Sequence, residues 1–169
     1  NYSSGGTGTF THLALESLES RAGVDMTHVP YKGEGESVLA LLRGDVVLAA
    51  LSVPTVLPHV KSGKLRAIAA TGNVRSAAFP DVPTVAETLP GAGASSWIGL
   101  FAPAMLAPEI ALKLNREVDK VMASPELRER LATTDSTFIA MTPAQFGAFQ
   151  KAEITSWAEV IRANNIRVD

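Results

Sequence analysis

Gly44-Asp45-Val46-Val47-Leu48-Ala49-Ala50-Leu51 joins a glycine to an almost unbroken apolar run. Glycine adopts positive φ at little steric cost, so it is the expected residue just past a helix end. A nearly all-apolar strand is the kind that lies covered on both faces. The same grammar occurs twice more. Gly23 precedes Met26-Thr27-His28-Val29, and Gly63 precedes Leu65-Arg66-Ala67-Ile68-Ala69-Ala70. The three glycines lie 21 and 19 residues apart, room for a strand, a loop, a helix and its cap. Phe10, Leu13, Ala14 and Leu18 follow helical spacing, as do Val38, Leu39 and Leu42. Pro54 and Pro58 fall at or near the start of a third helix, where the first turn tolerates proline. Successive right-handed βαβ units follow, and with them an α/β fold whose mainly parallel sheet is flanked by helices.

Upstream of the first helix stands Asn1-Tyr2-Ser3-Ser4-Gly5-Gly6-Thr7-Gly8-Thr9. Glycines let a backbone approach a ligand closely, and a helix N-terminus offers unpaired amides in a positive dipole end. Such a loop cradles a carboxylate as readily as a phosphate, with amides and hydroxyls as donors. It is equally a glycine-rich turn before a helix capped by Thr9.

Downstream, Gly72, Pro80, Pro83, Pro90, Gly91 and Gly93 break any long element. Thr84-Val85-Ala86-Glu87 fits a capping box that opens a short helix. Trp97-Ile98-Gly99-Leu100-Phe101 and Phe138-Ile139-Ala140 read as strands. Ile110, Leu114, Val118, Val121 and Met122 share one helix face, and Ser124-Pro125 starts another helix. Thr142-Pro143-Ala144-Gln145 is a second capping box, opening a long helix through Phe146, Phe149, Ile154, Trp157 and Ile161.

Composition excludes several classes. The chain has 169 residues, is 46% hydrophobic and carries a net charge of −2. It can bury a core and fits one domain or two small lobes. No basic stripe is visible, so nucleic acid is not an expected partner. There is no cysteine, which rules out disulfides, thiolate zinc sites and a cysteine nucleophile. No apolar run approaches the roughly 18 residues of a membrane span.

Ligands of open α/β sheets sit outside the carboxyl ends of the strands. Four loops are expected at that edge: Ser3 to Thr9, Tyr31-Lys32-Gly33, Ser52-Val53-Pro54-Thr55 and Thr71-Gly72-Asn73. Their hydroxyls, glycines, one amide and one lysine suit an oxygen-rich anion, and none contains Asp or Glu. Neither G-x-x-x-x-G-K-[ST] nor G-x-G-x-x-G occurs in the opening loop, so nucleotide binding lacks its signature. Ser4 with His12 forms a poor nucleophile and base, having no evident orienting acid. His12, His28 and His59 are too widely spaced to read as a metal site, and structural roles suit them better. No cofactor is implied.

The order Tyr2-x-Ser4-x-Gly6-x-Gly8-Thr9-x-x-His12-Leu13 resembles a segment of the tripartite tricarboxylate transporter substrate-binding proteins, the TctC or Bug family. The resemblance continues through His28-Val29-Pro30-Tyr31-Lys32-Gly33, Leu57 to Arg66, Phe79 to Glu87, Gly99-Leu100-Phe101-Ala102-Pro103 and the Thr142-Pro143 helix. It spans essentially the whole chain, in order.

This resemblance implies a periplasmic solute-binding protein whose two α/β lobes close over an organic acid. It implies no catalysis, a di- or tricarboxylate or amino acid-like ligand, and membrane permease subunits as partners. Residues 1–95 correspond to an α/β ligand-binding lobe, and 96–169 to the returning segment of the other lobe with the C-terminal helix. The early part of the first lobe is expected to be missing, leaving apolar surface exposed. The family's carboxylate loop lands on Ser4, Gly5, Gly6, Thr7, Gly8 and Thr9, with Tyr31 and Ser52 at the neighbouring tips. The expected donors are the Gly8 and Thr9 amides and the Ser4, Thr7 and Thr9 hydroxyls. Leu51 stands where many relatives carry an acid, which removes a polar contact to the distal end of the ligand. Two other functions remain open: an enzyme on a small acid or acyl substrate with Ser4 or Thr9 as nucleophile, and a ligand sensor for a signalling partner.

Overall fold

The computed structural model describes residues 1–167. It divides into two compact units, Asn1–Ser96 with Trp157 onward, and Trp97–Ser156.

The first unit is built by strand–helix alternation. β1 (Tyr2–Ser4), α1 (Phe10–Ala22), β2 (His28–Pro30), α2 (Glu34–Arg43), β3 (Leu48–Ala49) and α3 (Val53–Lys61) follow one another. The sheet is parallel in the order β2-β1-β3, with Tyr2 opposite both His28 and Leu48. β1 is therefore the central strand, and all three of its residues are buried. α1 and α2 pack on β1, and α2 also meets β3 and α3. The core joins Tyr2 to Leu13, Ala14 and Leu15 of α1, Val38 and Ala40 of α2, and Val46. Gly44 ends α2 at φ 79°, a left-handed cap whose amide bonds the last carbonyls of the helix.

The α/β class and the parallel sheet expected from the sequence are present. The strands are shorter than their apolar runs. Val46 is buried ahead of β3, while Val47 is exposed. The run Leu65–Ala70 does not join the sheet. Ala70 alone forms a parallel bridge with Thr84, through Ala70 N–H to the Pro83 carbonyl at 2.9 Å. Ile68 is 60% exposed. An apolar run needs a neighbouring strand and a cover on each face, and here it has neither. α4 (Val85–Thr88) then starts at the expected capping box, both of whose bonds are made.

The second unit contains α5 (Pro108–Met122), α6 (Pro125–Thr133) and the part of α7 (Pro143–Ala163) up to Ser156. Proline opens each of these helices, as the sequence predicts. Thr142 and Gln145 form the second capping box, with Thr142 N–H to Gln145 Oε1 at 2.9 Å and Gln145 N–H to Thr142 Oγ1 at 3.3 Å. Trp97, Phe101, Phe146 and Phe149 cluster with ring centroids 5.4–6.4 Å apart. A Cβ on Gly99 would lie 2.3 Å from Phe146 Cζ, so only glycine fits against that ring. The expected strands 97–101 and 138–140 pair with no other strand among the described residues.

Candidate functional site

β1 ends at Ser4 beneath the glycine loop, and the loop closes largely on itself. Gly5 N–H donates to Thr11 Oγ1 at 3.0 Å, and Gly6 N–H to Ser4 Oγ at 3.1 Å. Gly8 N–H donates to His12 Nδ1 at 3.1 Å, and Thr9 N–H to the Gly6 carbonyl at 3.2 Å. Gly8 holds φ 77°, a conformation that side chains disfavour. The Thr9 hydroxyl turns back onto Gly6 O at 2.7 Å instead of capping α1. These contacts revise the expected donor set. The Gly8 and Thr9 amides are engaged within the loop, and the Ser4 hydroxyl lies buried below it.

Three amides stay open. Among the described residues, the Thr7, Phe10 and Thr11 N–H groups meet no acceptor, and neither does the exposed Thr7 hydroxyl. They surround the N-terminus of α1, which has no side-chain cap and no acidic residue in its first turn. Unpaired amides at the positive end of a helix dipole attract an anion.

Beneath the loop is a buried polar stack. The His12 and His28 rings lie 3.8 Å apart at 13°, with Tyr2 stacked 5.0 Å from His28. His28 Nε2 meets Ser4 Oγ at 2.7 Å. The Gly8 amide donates to His12 Nδ1, which leaves the His12 proton on Nε2, 3.3 Å from Glu16 Oε1. Tyr2 donates its hydroxyl to the same Glu16 oxygen at 2.5 Å. Burial lowers the His12 pKa against the opposing pull of Glu16. Burial, then the neighbouring His12, lowers His28 to about 4. Both rings are thus neutral near pH 7, and two stacked rings without charge avoid mutual repulsion. The sequence pairs Ser4 with His12, whereas the structure pairs it with His28. Ser4 is fully buried, and its hydroxyl is engaged in ordering the loop. His59 lies on α3 away from this stack, and no group of three metal-ligating side chains occurs among the described residues.

The other tips complete the edge. Tyr31 N–H donates to Ser4 O at 3.2 Å, and Gly33 N–H to Gly5 O at 3.0 Å, which sew the β2–α2 loop to the glycine loop. Ser52 stands at the N-cap position of α3, and its amide and hydroxyl turn to Glu34 Oε2, at 3.0 and 2.5 Å. Thr55 Oγ1 reaches the same oxygen at 2.9 Å. Thr71-Gly72-Asn73 does not follow a sheet strand, so three loops converge here in place of four. The reading of loops free of acid also missed Glu34. It is the first residue of α2, one step beyond Gly33, and its side chain returns over the strand tips. An acid directly after a loop glycine at a helix start was the available signal.

The sequence matches the family described as tripartite tricarboxylate transporter family receptor (TctC) over residues 1–166. The chain belongs to this family. It is 37% identical to Protein BugT of Bordetella pertussis over 162 residues, 95% of this chain and 50% of that one. R. palustris Rpa4515, solved with adipate, superposes with a TM-score of 0.84 at 29% identity, covering 98% of this chain and 56% of that one. MatC from Rhodopseudomonas palustris, with bound malate, gives a TM-score of 0.73 at 28% identity, covering 95% of this chain and 56% of that one. The chain therefore spans about half the length of these relatives.

Proposed function

We propose that this chain acts in a periplasmic TctC receptor, holding a small organic carboxylate without transforming it and passing it to membrane permease subunits. Residues 1–95 supply one ligand-binding lobe, and 96–169 the returning segment of the other lobe with the C-terminal helix. The solute is a di- or tricarboxylate or an amino acid-like acid. Ser4, Gly5, Gly6, Thr7, Gly8 and Thr9 form the loop that receives its carboxylate, with Tyr31 and Ser52 bordering the pocket.

The observation that carries this reading is the set of open donors at the α1 N-terminus: the Thr7, Phe10 and Thr11 amides with the Thr7 hydroxyl. Relatives of the same fold hold adipate and malate, acids this donor set suits. The engaged residues have a complementary role. Ser4, Gly6, Gly8 and Thr9 spend their hydrogen bonds on fixing the loop, which lowers the ordering cost when a ligand arrives.

Isothermal titration against a panel of dicarboxylates, tricarboxylates and amino acids tests the reading. At least one acid should bind, and Thr7→Val should weaken it about tenfold, the lower bound for losing one hydrogen bond to a charged group. Binding of no acid would refute the receptor role. Equal binding by Thr7→Val would take that hydroxyl out of the pocket.

A further inference from the structure

We propose that Glu34 sets the kind of acid the site accepts: one that presents a hydrogen-bond donor, ammonium or hydroxyl, beside its carboxylate. This rests on the receptor reading above and narrows its substrate class.

The sheet order makes the placement unusual. Glu34 begins α2, directly after the β2 tip, yet its carboxylate is held at the start of α3, directly after β3. β1 lies between those strands. The backbone and side chain of Glu34 therefore lie beside the end of the central strand, where ligands of such sheets sit. Gly5, the residue after β1, records this adjacency. A Cβ on Gly5 would lie 3.6 Å from Glu34 Cγ, 3.5 Å from the Glu34 amide nitrogen and 3.5 Å from Thr11 Oγ1. The Glu34 side chain and the open first turn of α1 thus adjoin the same residue.

The two carboxylate oxygens have different environments. Oε2 accepts three donors at the α3 start: the Ser52 amide, the Ser52 hydroxyl and the Thr55 hydroxyl. Oε1 has no hydrogen-bond donor among the described residues, and no lysine or arginine forms an ion pair with Glu34. Lys32 is exposed, and its amide donates to Glu36 Oε2 at 3.1 Å. An anion is thereby fixed beside the anion-attracting end of α1, with one oxygen unused.

Two consequences follow for a ligand. The Ser52 and Thr55 donors at the α3 start are already taken, so a ligand carboxylate meets its open donors at the α1 start. That carboxylate lies close to a like charge, which disfavours it unless something bridges the two. A hydroxyl or ammonium next to the ligand carboxylate supplies the bridge by donating to Oε1. Glu34 then changes from a repulsive neighbour into a partner, and acids without such a donor are rejected by the same residue.

Succinate, malate and aspartate share a four-carbon diacid frame and differ in bearing hydrogen, hydroxyl or ammonium beside one carboxylate. Titration calorimetry of the whole chain with all three should show malate or aspartate binding about tenfold or more tighter than succinate, as expected for a charge-assisted hydrogen bond. A lead for aspartate identifies ammonium as the donor, and a lead for malate identifies hydroxyl. In Glu34→Gln, whose amide oxygen still accepts from Ser52 and Thr55, the preference should collapse to within about twofold. Should that variant melt early, Glu34→Asp carries the test: it keeps the charge, shortens the reach and should lose most of the preference. Succinate binding as tightly as the others in wild type, or a preference unchanged in the folded variant, overturns the role of Glu34 alone. No binding of any of the three while another acid of the panel binds overturns the role of Glu34 alone, and no binding of any acid in the panel takes the receptor reading down with it.

Discussion

β1 and the stretch Trp97–Phe101 are both short and bounded by turn-forming residues, yet the polar Tyr2-Ser3-Ser4 is buried and the more apolar stretch is not. β1 pairs on both sides and buries every residue. The second stretch pairs with no strand, and Ile98 and Leu100 stand exposed at 101% and 79%. The difference is one of company. β2 and β3 arrive from the same βαβ run, close in sequence, and each brings a helix that covers β1. Nothing comparable surrounds residues 97–101, so their order comes from side chains instead: Trp97 and Phe101 gather on Phe146, and Trp97 Nε1–H donates to Glu153 at 3.1 Å. An apolar run states that a segment is able to be a strand. Neighbours decide whether it becomes one.

The largest effect that contrast predicts is at Tyr2. Its ring is fully buried, stacks on His28 and donates to Glu16. Tyr2→Ala removes an aromatic side chain from the centre of the sheet and takes one of two partners from Glu16 Oε1, which keeps His12. A loss of about 3–5 kcal/mol is expected, read from urea unfolding followed by circular dichroism. A loss under about 1 kcal/mol would mean that β1 is no better anchored than residues 97–101.

A second effect is tied to pH and belongs to the first unit alone. His28 is held at about 4 in the fold, below its ordinary value of 6.5, because burial disfavours its charged form. Between those values the unfolded chain binds the proton that the folded chain refuses. The stability from neutral His28 is therefore complete above pH 6.5 and is lost as pH falls toward 4. His12, also lowered by burial, acts in the same direction. Glu19 acts in the opposite sense, since burial raises its carboxyl. Comparing the urea midpoint from pH 7.5 to 4 in wild type and His28→Gln isolates the His28 share. The variant should show the shallower decline, and identical slopes would separate the ring stack from acid sensitivity.

Much of this was legible in the sequence because the signals are local. Glycine caps, proline-opened helices and both capping boxes depend on residues within a few positions of one another, and all formed where the pattern placed them. The lengths of the strands were not legible, since Leu65–Ala70 and Trp97–Phe101 look like strands whether or not a partner lies alongside. The donors of the glycine loop were read as a set, but which amides stay open depends on His12 and Thr11 turning back beneath it. Glu34 escaped notice because its role arises from its meeting with Gly5 and with Ser52 and Thr55, residues distant in sequence that the fold brings together.

A third effect compares the two capping boxes. Thr84 is buried and Thr142 exposed, while each receives the amide three residues on and each has its own amide bonded by the side chain of that residue. When the exposed cap is cut, water can replace the lost acceptor; at Thr84 it has less access. Thr84→Ala should cost about 1–2 kcal/mol and Thr142→Ala about 0.5 kcal/mol in the same urea assay, the two ends of the usual range for such caps. Equal costs would show that burial adds nothing to a cap here.

The smallest effect closes the contrast at Ile98. A fully exposed isoleucine has no packed neighbours to lose, so Ile98→Ala should move stability by no more than about 0.5 kcal/mol, the ordinary range for surface changes. Yet its side chain and those of Leu100 and Ile139 are apolar surface facing water, and removing them should raise solubility more than it lowers the urea midpoint. The decisive measurement sets Ile98→Ala against Tyr2→Ala in one series. If residues 97–101 act as a strand waiting for a partner, the first variant unfolds with wild type and the second falls far below it. An Ile98→Ala loss above about 1 kcal/mol would mean that this side chain is already packed in solution, and the two segments would then differ in degree and not in kind.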